Sequence, residues 1–206
     1  MTKLFGVLLL GFSGFFLSVR PVFSGETPAF TESVIIFNTI CAKCHEAQCS
    51  GRLSFDDAFE RSRNHILRHY NQASGKKYLQ KELFDILSYM KENCAYYPMH
   101  FSVPLNRIWA NDLLQKYTTS TDSNYFIPVG NLSSGSYDIE LELEKNVKVN
   151  VHLISEEFEI VVDDCYKSTD QRIKLPVFIE ESGDYYLRLY PKEAVRLARL
   201  TIIPSK

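Results

Sequence analysis

Residues 137–143 read Tyr-Asp-Ile-Glu-Leu-Glu-Leu, with an apolar side chain at every second position and a carboxylate at each position between. Successive side chains of a β-strand point to opposite faces, so this stretch predicts a strand with one buried and one solvated face. The alternation recurs in residues 147–153, 158–162, 185–189 and 200–202. Turn-forming residues such as Ser134-Gly135 and Ser182-Gly183-Asp184 separate these runs. Short alternating strands with no helical run among them predict an antiparallel, jelly-roll-like β-sandwich over residues 112–206.

Helical spacing replaces this alternation in the N-terminal half. Apolar residues recur three or four positions apart in residues 31–40, 55–69 and 81–94, which predicts three amphipathic helices. Residues 95–111 are rich in aromatics and prolines, whereas a flexible linker would be rich in glycine and serine. The sequence therefore predicts an α + β protein of two domains, with a small all-α domain over residues 25–94, a packed connector over residues 95–111, and the β-sandwich.

The chemistry of the helical half is concentrated in the run Cys41-Ala42-Lys43-Cys44-His45. Two thiols separated by two residues can form thioether bonds with the two vinyl groups of one porphyrin, and the adjacent imidazole can bind the iron. A Cys-x-x-Cys pair alone also occurs in redox disulfides and as half of a zinc site. The predicted flanking helices, an export signal and further histidines favour haem. We therefore predict one covalently bound haem c, attached to Cys41 and Cys44 and ligated by His45.

The other axial position of the iron has several candidate ligands. No methionine lies between the motif and the third predicted helix, but His65 and His69 do. At about 100° between successive helical residues, His69 lies near the middle of its helix's apolar stripe and His65 near the edge. We predict His69 as the sixth ligand, with His65 and Met99 as alternatives, and expect Met90 to pack in the core. An open sixth position that binds small ligands is a further alternative.

The first and the last of the three predicted helices contain residues that are typical of a known protein family. Phe37 stands four residues before Cys41 and is followed by Asn38, and residues 85–91 read Asp-Ile-Leu-Ser-Tyr-Met-Lys. These residues resemble the first and closing helices of the class I cytochromes c, over about residues 30–94. The resemblance implies a small all-α cytochrome c-like haem domain, in which the first and last helices pack across each other and bracket the haem, and it implies electron transfer. The chain departs from that family because it lacks the methionine that usually precedes the last helix as sixth ligand.

The sandwich carries a weaker set of features. The runs Gly135-Ser136-Tyr137 and Ser182-Gly183-Asp184-Tyr185-Tyr186 each lead into an alternating strand. In this respect the C-terminal half resembles the small pre-peptidase C-terminal-type modules of secreted bacterial enzymes. The resemblance implies a role in adhesion, carbohydrate binding or packing. We expect the sandwich to dock the chain to redox partner proteins or to a larger membrane-associated or surface complex.

The N-terminus predicts export. Lys3 precedes a nearly uncharged apolar run, residues 4–19, and Val22 and Ser24 stand at the positions that a signal peptidase reads before its cleavage site. We predict a signal peptide over residues 1–24 and a periplasmic or secreted protein, with an uncleaved membrane anchor as the alternative. The formal net charge of −2 argues against a nucleic-acid partner.

Three of the five cysteines lie outside the haem motif, namely Cys49, Cys94 and Cys165. Thiols tend to pair in an oxidising compartment. Cys49 follows the motif closely and Cys94 ends the last predicted helix, so a disulfide between them would link both ends of a small domain. We predict this disulfide, while Cys165 has no evident partner in its own half of the chain.

These features together predict an exported monohaem c-type cytochrome that transfers electrons and is not an enzyme. Two alternatives stay open. An open sixth iron position would make the protein a haem enzyme or a small-gas sensor. A haem that mainly stabilises a domain too small to fold well alone would make it a structural or adhesion protein.

Overall fold

A computed structural model of the 206-residue chain describes residues 28–45, 58–99, 101, 103–119 and 124–205. Within these residues, eight strands form two four-stranded sheets, and most of the helices precede them. The strands are β1 (Ile108–Ala110), β2 (Tyr125–Leu132), β3 (Gly135–Leu143), β4 (Lys148–Ser155), β5 (Ile160–Lys167), β6 (Arg172–Ile179), β7 (Gly183–Pro191) and β8 (Leu197–Pro204). The α-helices are α1 (Pro28–Ile36), α2 (Ala42–His45), α3 (Ala58–His69), α4 (Lys77–Asn93) and α5 (Asn111–Leu114). A π-helix (Phe37–Cys41) joins α1 to α2, and short 3₁₀ helices occupy Asn71–Ala73 and Gln115–Tyr117.

The two sheets form an antiparallel β-sandwich. The first sheet has the strand order β1-β8-β3-β6 and the second β2-β7-β4-β5, with antiparallel neighbours throughout. The register places Ile139 of β3 between Leu175 and Ile202, and Leu153 of β4 beside Leu187. All five side chains are buried. The alternating runs therefore bury one face, and the predicted antiparallel β-sandwich is confirmed.

Two parts of the sandwich differ from the sequence pattern. β1 lies inside the predicted connector and forms an edge of the first sheet, anchored by the fully buried Trp109. In the run predicted to alternate over residues 158–162, Phe158 lies in the turn before β5 with a left-handed backbone (φ 67°). Ile160, the first residue of β5, is 54% exposed, and β5 is an edge strand with a neighbouring strand on one side only.

The helical segment is organised around α4. Both α1 and α3 pack against α4, and the Ser33 hydroxyl donates a hydrogen bond to Glu82 where α1 meets it. α4 starts before the predicted residue 81 and ends where Cys94 adopts a left-handed conformation (φ 50°), with its N–H donating to the Met90 carbonyl. None of the described helices is long and apolar enough to cross a bilayer.

The helical segment lies against the outer face of the second sheet. Phe126 of β2 and Arg188 of β7 are paired in register on that face. Arg188 is only 1% exposed, because Asn38 of the π-helix and Tyr96 from the chain after α4 cover it. The helices and the sandwich share one cluster of buried apolar residues, so the sheet supports the segment that carries the Cys-x-x-Cys-His motif.

Candidate cofactor site

A cavity of about 70 Å³ lies between the π-helix, α2, α3 and α4. Six apolar side chains form much of its wall, namely Phe37, Ile40, Ile66, Leu83, Phe84 and Leu87. The other lining residues are Cys41, Cys44, His45, Ser62, His65 and His69. The structure therefore brings the reactive side chains of the motif and both candidate histidines of α3 to one largely apolar cavity.

The backbone of the motif is irregular where the first thiol is placed. The π-helix that ends at Cys41 is the kind of helical irregularity that is frequent at functional sites. Buried side chains within it bond back to the preceding turn: the Asn38 amide donates to the Val34 carbonyl at 3.0 Å, and the Thr39 hydroxyl donates to the Ile35 carbonyl at 2.7 Å. These bonds hold the turn that leads directly into the motif.

The two motif cysteines carry thiols rather than a disulfide. Cys41 is partly buried and Cys44 is exposed. Burial, with a smaller contribution from Cys44, raises the pKa of Cys41 to about 12, so this thiol is protonated at neutral pH. A redox-active cysteine is typically one whose pKa is lowered by its surroundings, so the environment of Cys41 is unlike that of a thiol–disulfide exchange site.

Of the three histidines that line the cavity, His65 contacts both His45 and His69. The ring centroids of His45 and His65 are 5.6 Å apart with an interplanar angle of 72°. The rings of His65 and His69, one turn apart on α3, are separated by 4.5 Å. Burial lowers the pKa of His65, and the charges of His69, His45 and Arg68 lower it further. This favours the neutral imidazole, which is the form that binds metals.

The remaining predicted ligands and cysteines lie elsewhere. Met99 is half-buried and does not line the cavity, and Met90 is buried in α4 as predicted. Cys94 is disulfide-bonded, but its predicted partner Cys49 lies outside the described residues, so the pairing stays a prediction. Cys165 is an exposed thiol. The predicted signal peptide also lies outside the described residues, and within them no group of three or more His, Cys, Asp or Glu side chains is arranged to hold a metal ion.

The residues that support the motif from behind were not identified from the sequence. The Arg188 guanidinium donates to Asn38 Oδ1 at 3.5 Å and to the Tyr96 hydroxyl at 3.2 Å, and its Cζ lies 5.6 Å from the centre of the Phe126 ring. The Tyr190 hydroxyl donates to the Asn38 carbonyl at 3.4 Å. An arginine between apolar residues in an alternating strand is expected on a solvated face, so no local signal marked Arg188 as buried.

Aromatic rings fill the rest of the contact between the helical segment and the second sheet. The centroid of the Tyr96 ring lies 4.5 Å from that of Phe158 and 4.6 Å from that of Tyr186, and Phe126 stacks on Tyr186 at 5.2 Å. These separations are typical of attractive aromatic pairs. Burial, with Asp184 contributing, raises the pKa of Tyr186 to about 12. The sheet interface is defined here as Asn38, Tyr96, Phe126, Phe158, Tyr186, Arg188 and Tyr190.

Comparison with known proteins gives structural neighbours but no family. No protein-family model matches the chain, and no curated protein matches it. A family GH115 4-O-methyl-alpha-glucuronidase with specificity for decorated arabinogalactans is similar over 73% of this chain, at a TM-score of 0.34 and 14% identity. This chain covers 25% of that enzyme.

Two further solved structures are similar over smaller parts of the chain. CBM35 from Paenibacillus barcinonensis matches 50% of this chain and 92% of its own length, at a TM-score of 0.30 and 14% identity. A glycoside hydrolase family 43 arabinoxylan arabinofuranohydrolase from Bacillus subtilis matches 39% of this chain and 19% of its own, at 0.25 and 15%. Similarity at this level defines neither a family nor a function.

Proposed function

We propose that the chain is an exported c-type cytochrome with one haem, which transfers electrons between proteins. The composition of the cavity carries the proposal: the two thiols and the imidazole of the Cys-x-x-Cys-His motif line it together with two further histidines and six apolar side chains. A covalently held haem needs an anchor, an axial ligand and an apolar pocket, and residues of these kinds meet in the cavity. The packing of α1 against α4 agrees with the arrangement that the resemblance to class I cytochromes c implies.

Each side chain of the motif has its own role in this proposal. Cys41 and Cys44 would hold the porphyrin through two thioethers, and two attachment points would restrict its orientation. His45, which follows Cys44 directly on α2, would supply a ligand to the iron. A haem bound there supplies a one-electron couple. The apolar side chains of the π-helix, α3 and α4 exclude water from the site, which reduces the solvent rearrangement that accompanies electron transfer.

The sixth ligand comes from α3 in this proposal. The position of His69 on the apolar stripe favours that residue, whereas the ring contact with His45 at 5.6 Å favours His65. Either histidine would give the iron two imidazoles and leave no open position for a substrate. This is the reason for proposing an electron carrier rather than a haem enzyme or a gas sensor.

The sandwich serves as the docking module in this proposal. The buried sheet interface, with its stacked rings and the hydrogen-bonded Arg188, ties the helical segment to the second sheet. A partner that binds the sandwich would therefore meet the haem at a defined distance. Export to the periplasm or beyond follows from the predicted signal peptide, and we expect redox proteins or a surface complex as partners.

The proposal is tested by producing the full chain together with bacterial haem-attachment machinery. Mass spectrometry of the denatured protein counts covalently bound haem, and visible spectra of the ferric and ferrous forms are recorded with and without carbon monoxide. We expect one haem per chain and a low-spin spectrum that carbon monoxide leaves unchanged. Cys44→Ala should weaken or abolish covalent attachment, whereas Cys165→Ala, which removes an exposed thiol of the sandwich, is the matched control and should change neither readout.

Two results would contradict the proposal in different ways. A high-spin spectrum that shifts with carbon monoxide would replace the electron carrier with a haem enzyme or a gas sensor. A full chain without covalently bound haem, produced beside a control cytochrome that is loaded normally, would overturn the haem assignment itself.

A further inference from the structure

A second opening lies where the sheet interface reaches the molecular surface. It is a crevice with a volume of about 520 Å³ between α2 and the outer face of β4 and β7. Its polar lining consists mainly of Lys43, Asn124, Asn150, His152, Arg188 and Lys192. Cys44 borders both this crevice and the cavity, so the two openings meet at one side chain of the motif.

The charge of the crevice has one sign. Among the described residues, the lining includes the three cations Lys43, Arg188 and Lys192 and no aspartate or glutamate. On the neighbouring strand β5, Asp163 Oδ1 lies 3.1 Å from His152 Nε2. Cationic donors together with side-chain amides are the groups that proteins use to bind oxyanions. The composition therefore favours an anionic ligand.

The cations are held in place by their surroundings. Arg188 is 1% exposed, and its guanidinium donates to Asn38 and to the Tyr96 hydroxyl, so little side-chain entropy would be lost when it binds a ligand. At the rim, Lys43 Nζ lies 4.8 Å from the centre of the Tyr190 ring, a cation–π distance. The crevice thus combines a buried, fixed guanidinium with ammonium groups at its mouth.

We propose that this crevice binds a small oxyanion, through a carboxylate, phosphate or sulfate group. The guanidinium of Arg188 supplies fixed positive charge at the floor, and Lys43 and Lys192 supply charge where the ligand enters. Because Cys44 borders the crevice, a bound anion would lie beside the haem anchor, favour the ferric state by Coulomb attraction and lower the reduction potential. This coupling rests on the proposed function, whereas the anion site does not.

Calorimetric titration of the haem-loaded full chain with phosphate, sulfate and acetate tests the site, at an ionic strength held constant with sodium chloride. We expect saturable binding of one anion per chain. Lys192→Gln, which changes an exposed side chain, should weaken binding about threefold or more, and Arg188→Gln about tenfold or more. Lys174→Gln on β6 of the first sheet is the matched control and should bind the anion as tightly as the parent protein does.

The relative affinities identify the ligand class. Tighter binding of acetate would identify a carboxylate ligand. Tighter binding of phosphate or sulfate would identify an inorganic oxyanion or its ester.

The outcomes separate the inference from the proposed function. Equal binding by Lys192→Gln and Lys174→Gln, or heats no larger than those of sodium chloride, would overturn the anion site even if the protein carries haem. Anion binding by a chain that carries no covalent haem would leave the site standing and overturn the proposed function. In the haem-loaded protein, phosphate should lower the reduction potential of the parent and of Lys174→Gln by similar amounts. The potential of Lys192→Gln should fall less. A potential that does not change when phosphate is bound would overturn the coupling.

Discussion

Residues 37–45 separate two regions of opposite character. On one side, the cavity is lined by apolar side chains and three histidines around open space. On the other side, the sheet interface is filled by the chain's own aromatic rings around a buried arginine. The cavity is suited to a group that the chain does not itself supply, whereas most of the sheet interface is occupied by the chain's own side chains. Residues 37–45 therefore present candidate ligands to the cavity on one side and are fixed to the second sheet of the sandwich on the other.

The largest expected effect distinguishes the two histidines of α3. In the haem-loaded protein, either His65→Ala or His69→Ala should convert the low-spin spectrum to a high-spin one that responds to carbon monoxide, because a vacant iron position binds small ligands. The other single variant should stay low-spin, and the double variant should be high-spin. Visible spectra of the three proteins decide the assignment. A low-spin double variant would exclude both histidines and direct attention to Met99.

A leucine in the wall of the cavity should contribute more to the stability of the protein than an exposed leucine. Leu83 of α4 is 2% exposed and lines the cavity, so Leu83→Ala should lower the free energy of unfolding by about 2–5 kcal/mol. Leu105, in the loop before β1, is fully exposed at 106%, and Leu105→Ala should change it by less than about 0.5 kcal/mol. Denaturant unfolding of the haem-loaded variants measures both values. Similar losses in the two variants would mean that the cavity wall is not packed as described.

The sheet interface is tested through a single hydroxyl group. The Tyr96 hydroxyl accepts a hydrogen bond from the Arg188 guanidinium at 3.2 Å in a buried environment, so Tyr96→Phe should cost about 1–3 kcal/mol of unfolding free energy. The control is Tyr78→Phe, because Tyr78 is a 54% exposed tyrosine of α4 and its change should be nearly neutral. The same denaturant titration applies. If Tyr96→Phe were as stable as Tyr78→Phe, the hydrogen bond would contribute little and the aromatic rings would hold the interface.

The two regions also differ in how far the sequence predicts them. The period of two in residues 137–143 and the period of 3.6 in α3 act within a single element, so the buried face of β3 and the shared face of His65 and His69 follow from local spacing. The burial of Arg188 depends on which helix covers the outer face of the second sheet. This burial requires a tertiary contact between Asn38 and Arg188, which lie 150 positions apart in the sequence. No local periodicity encodes such a contact.

Phe158 illustrates the same limit. Its apolar side chain continues an alternating run, and no local feature indicates that a left-handed backbone (φ 67°) brings its ring against that of Tyr96. A positive φ is uncommon outside glycine, asparagine and aspartate, so it is not expected at a phenylalanine. The Cys-x-x-Cys-His motif, in contrast, is recognised without tertiary information, because it consists of five consecutive residues.

The smallest expected effect is on the free energy of unfolding at alkaline pH, and it arises from Tyr186 in the sheet interface. Burial and the nearby carboxylate of Asp184 raise the pKa of Tyr186 from 10.0 to about 12. The unfolded chain therefore loses this proton first, so the stability contributed by the neutral phenol is fully present below pH 10 and declines as the pH rises toward 12. Tyr186→Phe removes the titrating group, and the free energy of unfolding should then fall less steeply across this range than in the parent. Denaturant titrations at several alkaline pH values measure the two slopes, and equal slopes would mean that Tyr186 does not hold its proton more tightly in the folded protein than in the unfolded chain.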